Sequence, residues 1–188
     1  MLIRTISASA QSDSLTMDEN NKYIFYQVVT QEATPADSLY KRALMFVKKN
    51  YPSDKLKFKD QDKEKATVYA TGNVLVAKKS MIAMHPDAGI EFTMVIEVKE
   101  NKYRYWFTDF NVVPQQRDRF ANFVPVPGKK EPLETGLTDL SKKDADGYTS
   151  TLLVNLKSIS NNLKVYMKNP SVTAKKEVKK TTIKTKDW

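Results

Sequence analysis

Cysteine is absent from this 188-residue chain, which excludes disulfides, thiolate metal sites and thiol nucleophiles. It leaves the redox compartment open, since a cysteine-free chain suits either. Histidine is almost as scarce. His85 is the single one, lying beside Pro86 and Asp87 in a stretch that reads as a loop, and no serine is brought near it to build a Ser-His-Asp triad. A metal site without thiolates and with one imidazole would need clustered carboxylates. Asp60, Asp62 and Glu64 alternate as in a calcium loop, but Lys63 and Lys65 interrupt them and the loop glycine is missing. Asp144 and Asp146 suit a turn and a helix cap. The five glycines (Gly72, Gly89, Gly128, Gly136 and Gly147) are too scattered for a phosphate cradle or dinucleotide fingerprint. No apolar run approaches the roughly 18 residues that span a bilayer. The expectation is therefore a chain with no catalytic residues, no metal and no cofactor.

What remains is enough for one domain with appendages. An apolar fraction of 40% and a mean hydropathy of -0.54 fit a soluble globular domain with extra polar segments. The formal charge of +9 is concentrated at one end. Seven lysines against Glu177 and Asp187 put +5 on residues 168–188 and leave +4 on the rest. Residues 169–188 are Lys- and Thr-rich with few large apolar side chains, the composition of a disordered basic tail. At the other end, residues 1–20 read as a signal-peptide remnant or a flexible N-terminus. Ala8-Ser9-Ala10 carries the small-x-small pattern cut by signal peptidase, and Gln11-Ser12-Asp13-Ser14 would follow as a mature end. The expectation is a periplasmic or secreted protein.

Between these ends, residues 21–168 read as one α+β domain. Tyr23 to Thr30 is β-branched and aromatic, a strand. Thr34-Pro35-Ala36-Asp37 then announces a helix, with Thr34 as cap, Pro35 at the first position and Asp37 closing a capping box. Leu39, Ala43, Phe46 and Val47 recur at helical spacing, and Pro52 stops the helix near Tyr51. A short strand, Leu56 to Phe58, precedes a turn over Asp60 to Lys65. Thr67 to Val76 alternates, with Val68, Ala70, Val74 and Val76 on one face and Tyr69, Thr71, Asn73 and Leu75 on the other; residues 77–88 read as a loop.

Ile90 to Val98 and Tyr103 to Val112 form the strongest local signal. A two-residue turn at Glu100-Asn101 pairs Val98 with Tyr103, Ile96 with Tyr105 and Met94 with Phe107, so one register puts all the apolar partners on one face. The other face then pairs Glu97 with Arg104 and Val95 with Trp106. Residues 114–147 form a long excursion rich in Pro, Gly, Lys and Asp. Tyr148, Leu152, Leu156, Ile159, Leu163 and Tyr166 mark a second amphipathic helix, capped by Asp146 and ended at Asn169-Pro170. The predicted order is β-α-β-β-β-β-α, a curved antiparallel sheet with two helices on one face.

Four stretches in this order carry a family resemblance: the opening strand, PADSLYKRALMFVKKNY, DQDKEKATVYATGN, and VKENKYRYWFTDF before the last helix. From Tyr23 to Met167 the chain resembles a Bacteroidetes family of uncharacterised domains with a TATA-binding-protein-like fold, and KYRYWFTDF is its most recognisable block. The resemblance implies the same β-α-β-β-β-β-α order and an exported protein. It implies no activity, so it transfers no catalytic residue. Residues 114–147 run longer than it requires.

The remaining candidate is the sheet face away from the helices. Alternation places Val95, Arg104, Trp106 and Phe110 there, with Tyr69 and Leu75 joining from the neighbouring strand. A contiguous exposed patch of this kind marks a binding surface, and Trp and Arg are enriched at binding hot spots. Arg117, Arg119 and Phe120 in the following segment extend the candidate site. Its partner would be an unknown protein or envelope component. The competing expectation is that Phe120, Phe123, Val124 and Val126 fold over this face as a second core. Nucleic-acid binding through the basic tail and the 114–136 segment is the alternative function. Glu91 and Glu97 on the outer face oppose it by repelling phosphate.

Overall fold

The computed structural model describes residues 14–50, 56–79 and 84–168. The expected signal remnant, apart from residues 14–20, and the basic tail lie outside them. The chain forms β1 (Thr16–Met17), β2 (Tyr23–Thr30), α1 (Ala36–Met45) with a π-helical turn (Phe46–Asn50), β3 (Leu56–Asp62) and β4 (Thr67–Lys79). It continues through β5 (Met84–Lys99), β6 (Lys102–Arg117), β7 (Phe123–Pro125), β8 (Glu131–Pro132), α2 (Leu133–Gly136) and α3 (Lys142–Lys168). The strands form one sheet in the order β1-β2-β6-β5-β4-β3, and every pairing is antiparallel. β3 to β6 are a meander. β2 pairs with the far side of β6, so the connection through α1 crosses the sheet from one edge to the other.

The helices lie on one face. α1 buries Leu39 and Ala43, and α3 buries Tyr148, Leu152, Leu156, Ile159, Leu163, Tyr166 and Met167. Against them stand Phe25 of β2, Val68, Ala70, Val74 and Val76 of β4, Ile90, Phe92, Met94, Ile96 and Val98 of β5, and Tyr103, Tyr105 and Phe107 of β6. The hairpin register is the expected one: Val98 opposes Tyr103, Ile96 opposes Tyr105, Met94 opposes Phe107, Glu97 opposes Arg104 and Val95 opposes Trp106.

Phe110 is the correction. It is buried among the core residues under the helices, not on the outer face. The pairing shifts between Glu91 and Thr93, which oppose Asn111 and Thr108, so β6 fits one extra residue opposite β5. Asp109 takes a left-handed conformation at φ 54°. Such a bulge reverses the alternation beyond it. Phe110 and Val112 therefore turn inward after Tyr103, Tyr105 and Phe107 have done the same from odd positions.

The helix caps also differ from expectation. α1 has no cap from its own sequence; Pro35 stands at its N-cap with no side-chain hydrogen bond. The Thr34 hydroxyl turns back to the Glu32 carbonyl, while the Thr34 N–H donates to Asn101 Oδ1 at 3.1 Å. The Ala36 N–H donates to Glu100 Oε2 at 3.0 Å. The β5–β6 turn thus serves as the cap, and a carboxylate there complements the helix dipole. Near this turn, Arg42 Nη1 and Gln31 Nε2 both donate to the Met167 carbonyl at the end of α3, and the Gln31 N–H donates to the Asn101 carbonyl. α3 starts four residues before Asp146, and the Asp144 N–H donates to Ser141 Oγ, so Ser141 rather than Asp146 caps it.

Residues 77–88 are not one loop. β4 runs to Lys79 and β5 begins at Met84, with His85 opposite Lys78 and Pro86 opposite Ala77 after a register shift. β3 likewise runs beyond Phe58 to Asp62, with a shift between Phe58 and Asp60. Residues 114–147 are ordered along an edge. β6 extends to Arg117 and turns back as β7; β8 then pairs with Asn111 and Val112, beyond the end of β2 on the same side of β6. Glu134 of α2 accepts from the Tyr23 N–H at 2.6 Å, tying this segment to the start of β2.

Candidate functional site on the open sheet face

The residues expected on the outer face separate into three places. Tyr69, Val95 and Trp106 form a row across β4, β5 and β6, and Tyr26 of β2 completes it opposite Trp106. The Tyr26 and Trp106 rings stand 6.4 Å apart. Val95 is buried in this row although it faces away from the helices, while Tyr69 and Trp106 are half-buried and Tyr26 is exposed. Arg104 sits one row on. It lies over the Trp106 ring at 5.4 Å and donates to Glu97 Oε2 at 2.5 Å. Its guanidinium is held further in the charged form first by Glu97 and then by the Tyr26 hydroxyl. Leu75 is also exposed on β4.

Phe110 belongs to the core, as described. Arg117, Arg119 and Phe120 belong to neither place. Arg117 ends β6, about 35 Å beyond Trp106 at the usual strand rise, and the chain turns there. The Asp118 carboxylate accepts from the N–H groups of Phe120 and Asn122, which closes the turn. Arg117 stacks over Phe123 and Arg119 over Phe120. Phe120 is 69% exposed, and Phe123 stacks on His85 at 5.6 Å. Phe120 and Phe123 thus form an arm at the end of the sheet rather than a cover for its outer face.

Sequence reasoning missed a second feature of that face. Beside the aromatic row lies an open depression of about 590 Å³. Thr71 and Asn73 of β4, Glu91 and Thr93 of β5, and Asp109 and Asn111 of β6 form its polar floor. Lys57 and Lys59 of the edge strand β3 line one side, and Lys130 lines another. Lys130 Nζ pairs with Glu91 at 2.6 Å, and Lys22 pairs with Asp109 at 3.3 Å. The outward parity of Thr71 and Asn73 was legible. That Lys57 would join them depends on the β3–β4 pairing, and that Lys130 would join depends on β8. Neither has a local sequence signal.

Away from this face, Tyr148 donates to Asp87 Oδ2 at 2.7 Å, and burial first, then this bond, pushes its hydroxyl pKa up. Lys78 pairs with Asp144 at 3.1 Å, which raises the one pKa and lowers the other. Among the described residues no group of three or more His, Asp or Glu is placed to hold a metal. No described helix is long and apolar enough to cross a membrane.

An antiparallel sheet with helices against one face and the other face open defines a TBP-like α+β fold. Two solved structures share it. One is a TBP-like protein from Parabacteroides distasonis, with a TM-score of 0.62 at 15% identity over 82% of this chain and 97% of that one. The other is a DUF4468 family protein from Bacteroides ovatus, with a TM-score of 0.61 at 11% identity over 84% of this chain and 92% of that one. Residues 25–113 match the family described as "Domain of unknown function (DUF4468) with TBP-like fold". No curated protein matches the sequence. At these identities the structural likeness conveys fold and not activity.

Proposed function

We propose that this domain is a non-enzymatic binding module of an exported protein, and that it meets an envelope component with the sheet face opposite its helices. The observation that carries the reading is the Tyr69–Val95–Trp106–Tyr26 row. It places three aromatic rings on a face where α1, α2 and α3 contribute none of their buried residues. Flat aromatic groups fixed on strands present large contact area with little side-chain entropy to lose, and rigid elements hold such a surface better than loops do. The single histidine stacks on Phe123, remote from this face. Export is supported by the Ala8-Ser9-Ala10 pattern.

The test pairs stability with capture. Wild-type protein and Trp106→Ala, immobilised at equal density, are exposed to a cell-envelope extract, and both are melted in parallel. The reading expects a component retained by the wild type and lost from the variant, with the melting temperature lowered by no more than several degrees. Identical retention by both proteins would remove the face from the account. N-terminal sequencing of protein from native cells tests export separately: a start at Gln11 supports it and a start at Met1 overturns it.

A further inference from the structure

We infer that the depression beside the aromatic row is a saccharide subsite, and that the sugar it takes carries a carboxylate. This inference rests on the outer face being the binding surface. Its volume of about 590 Å³ lies within the roughly 300–1,000 Å³ of small-molecule sites, yet it is open and polar. It suits a ligand that stays hydrated on one side.

The floor selects for hydroxyl groups. Among the described residues, the Thr71 and Thr93 hydroxyls and the Asn73 amide have no hydrogen-bond partner in the protein and line the depression together. A threonine hydroxyl and an asparagine amide each both donate and accept, as sugar hydroxyls do. A sulfate only accepts, and inorganic phosphate at neutral pH carries at most two O–H donors, so either leaves much of the accepting capacity of these groups unused. Glu91 also faces the depression, and although Lys130 pairs with it, a carboxylate there disfavours a polyanion.

One wall adds the charge. Lys57 and Lys59 lie along β3 with no acidic partner among the described residues, whereas Lys130 and Lys22 are matched by Glu91 and Asp109. The surplus positive charge is therefore at the β3 end, the place for one carboxylate rather than a chain of them. The row beyond Thr93 holds Val95 and Trp106, about 7 Å along the strand. A second sugar ring would meet that indole, whose face attracts the C–H side of a pyranose.

The inference is tested by titrating the full chain, followed by backbone amide NMR, with three probes: a sialylated trisaccharide that carries a single carboxylate, a neutral malto-oligosaccharide and inorganic phosphate. A panel of sialic- and muramic-acid-bearing oligosaccharides extends the first probe. The expected result is that an acidic saccharide shifts the amides of Thr71, Asn73 and Thr93, and that the neutral sugar binds more weakly. Lys57→Gln/Lys59→Gln should weaken the acidic saccharide about tenfold or more, as loss of a charge-assisted hydrogen bond does, and leave the neutral one unchanged. Thr93→Val is the second variant, and it should weaken both sugars. Three results would each overturn the inference: no shift from any acidic saccharide at millimolar concentration, equal shifts from phosphate, or binding indifferent to both variants. Envelope capture that depends on Trp106, without saccharide binding, would leave the proposed function standing and remove only this subsite.

Discussion

Tyr103 and Tyr105 stack 6.2 Å apart on the core side of β6 and are equally buried, yet their hydroxyls are in opposite situations. Tyr105 donates to Oε1 of the buried Gln27 at 2.7 Å, across the β2–β6 pairing. The Tyr103 hydroxyl has no partner among the described residues. A buried polar group deprived of its partner costs about 1–3 kcal/mol, whereas removing one that has none costs little or is stabilising. Tyr105→Phe should therefore destabilise by that amount in denaturant unfolding, and Tyr103→Phe should leave stability unchanged or raise it by up to about 1 kcal/mol. Tyr103 also sets an alkaline limb. Burial, helped by the neighbouring Tyr105, raises its pKa well above the ordinary 10.0. Below pH 10 the hydroxyl is neutral in both folded and unfolded chains, and stability is indifferent to it. Above pH 10 only the unfolded chain releases the proton, so stability falls by about 1.4 kcal/mol per pH unit from this group until the folded protein ionises too. Tyr103→Phe should make that limb shallower; an unchanged limb would show that the ring is not buried as described.

At the scale of elements, the β5–β6 turn does two jobs. Asn101 holds φ at 59°, its side chain accepts from the Thr34 N–H, its own N–H donates to the Thr34 carbonyl, and its carbonyl accepts from the Gln31 N–H. Glu100 caps α1. Asn101→Ala loses the side-chain bond and forces a left-handed alanine, while Asn101→Gly loses only the bond. The expected costs are about 2 kcal/mol and about 1 kcal/mol respectively, and amide exchange should show the first turn of α1 loosened in both. The pairing around this turn was legible because it is local: the alternation of Met94, Ile96 and Val98 against Tyr103, Tyr105 and Phe107 admits one register. Counting onward from it failed at Asp109, because a bulge leaves no mark in composition; an aspartate can take positive φ but rarely announces it. The caps were misread for a related reason. Thr34 and Asp37 form a good local signal, yet Thr34 is held by Asn101, a contact 67 residues away. Residues 114–147 hid β7, β8 and α2 because two- and three-residue strands are defined by the edge they join, not by their own pattern.

The whole molecule is a sheet whose two faces were spent differently. Alternation in β4, β5 and the first half of β6 was enough to assign Tyr69, Val95, Arg104 and Trp106 to the outer face. The fourth member of the row, Tyr26, came from β2, which reaches β6 only through the non-local closure of the sheet. The polar depression needed two further edges, β3 and β8, so it was out of reach of any pattern along one strand. Adjacent residues on β6 measure how completely the faces divide. Phe107 is fully buried, in edge contact with Phe25, Phe92 and Tyr105. Trp106, next to it, is half-buried and covers Val95 from the solvent side. Phe107→Ala should cost about 3–5 kcal/mol, the range for an aromatic deleted from a core. Trp106→Ala removes a larger side chain but leaves no closed cavity, because water can enter where the indole lay. It should cost about 1–2 kcal/mol, the apolar area that Val95 and its neighbours lose from cover. Equal costs from the two substitutions, read in the same denaturant series, would mean that the outer row is a second core, and a surface already committed to folding would have no exposed aromatic platform to offer a ligand.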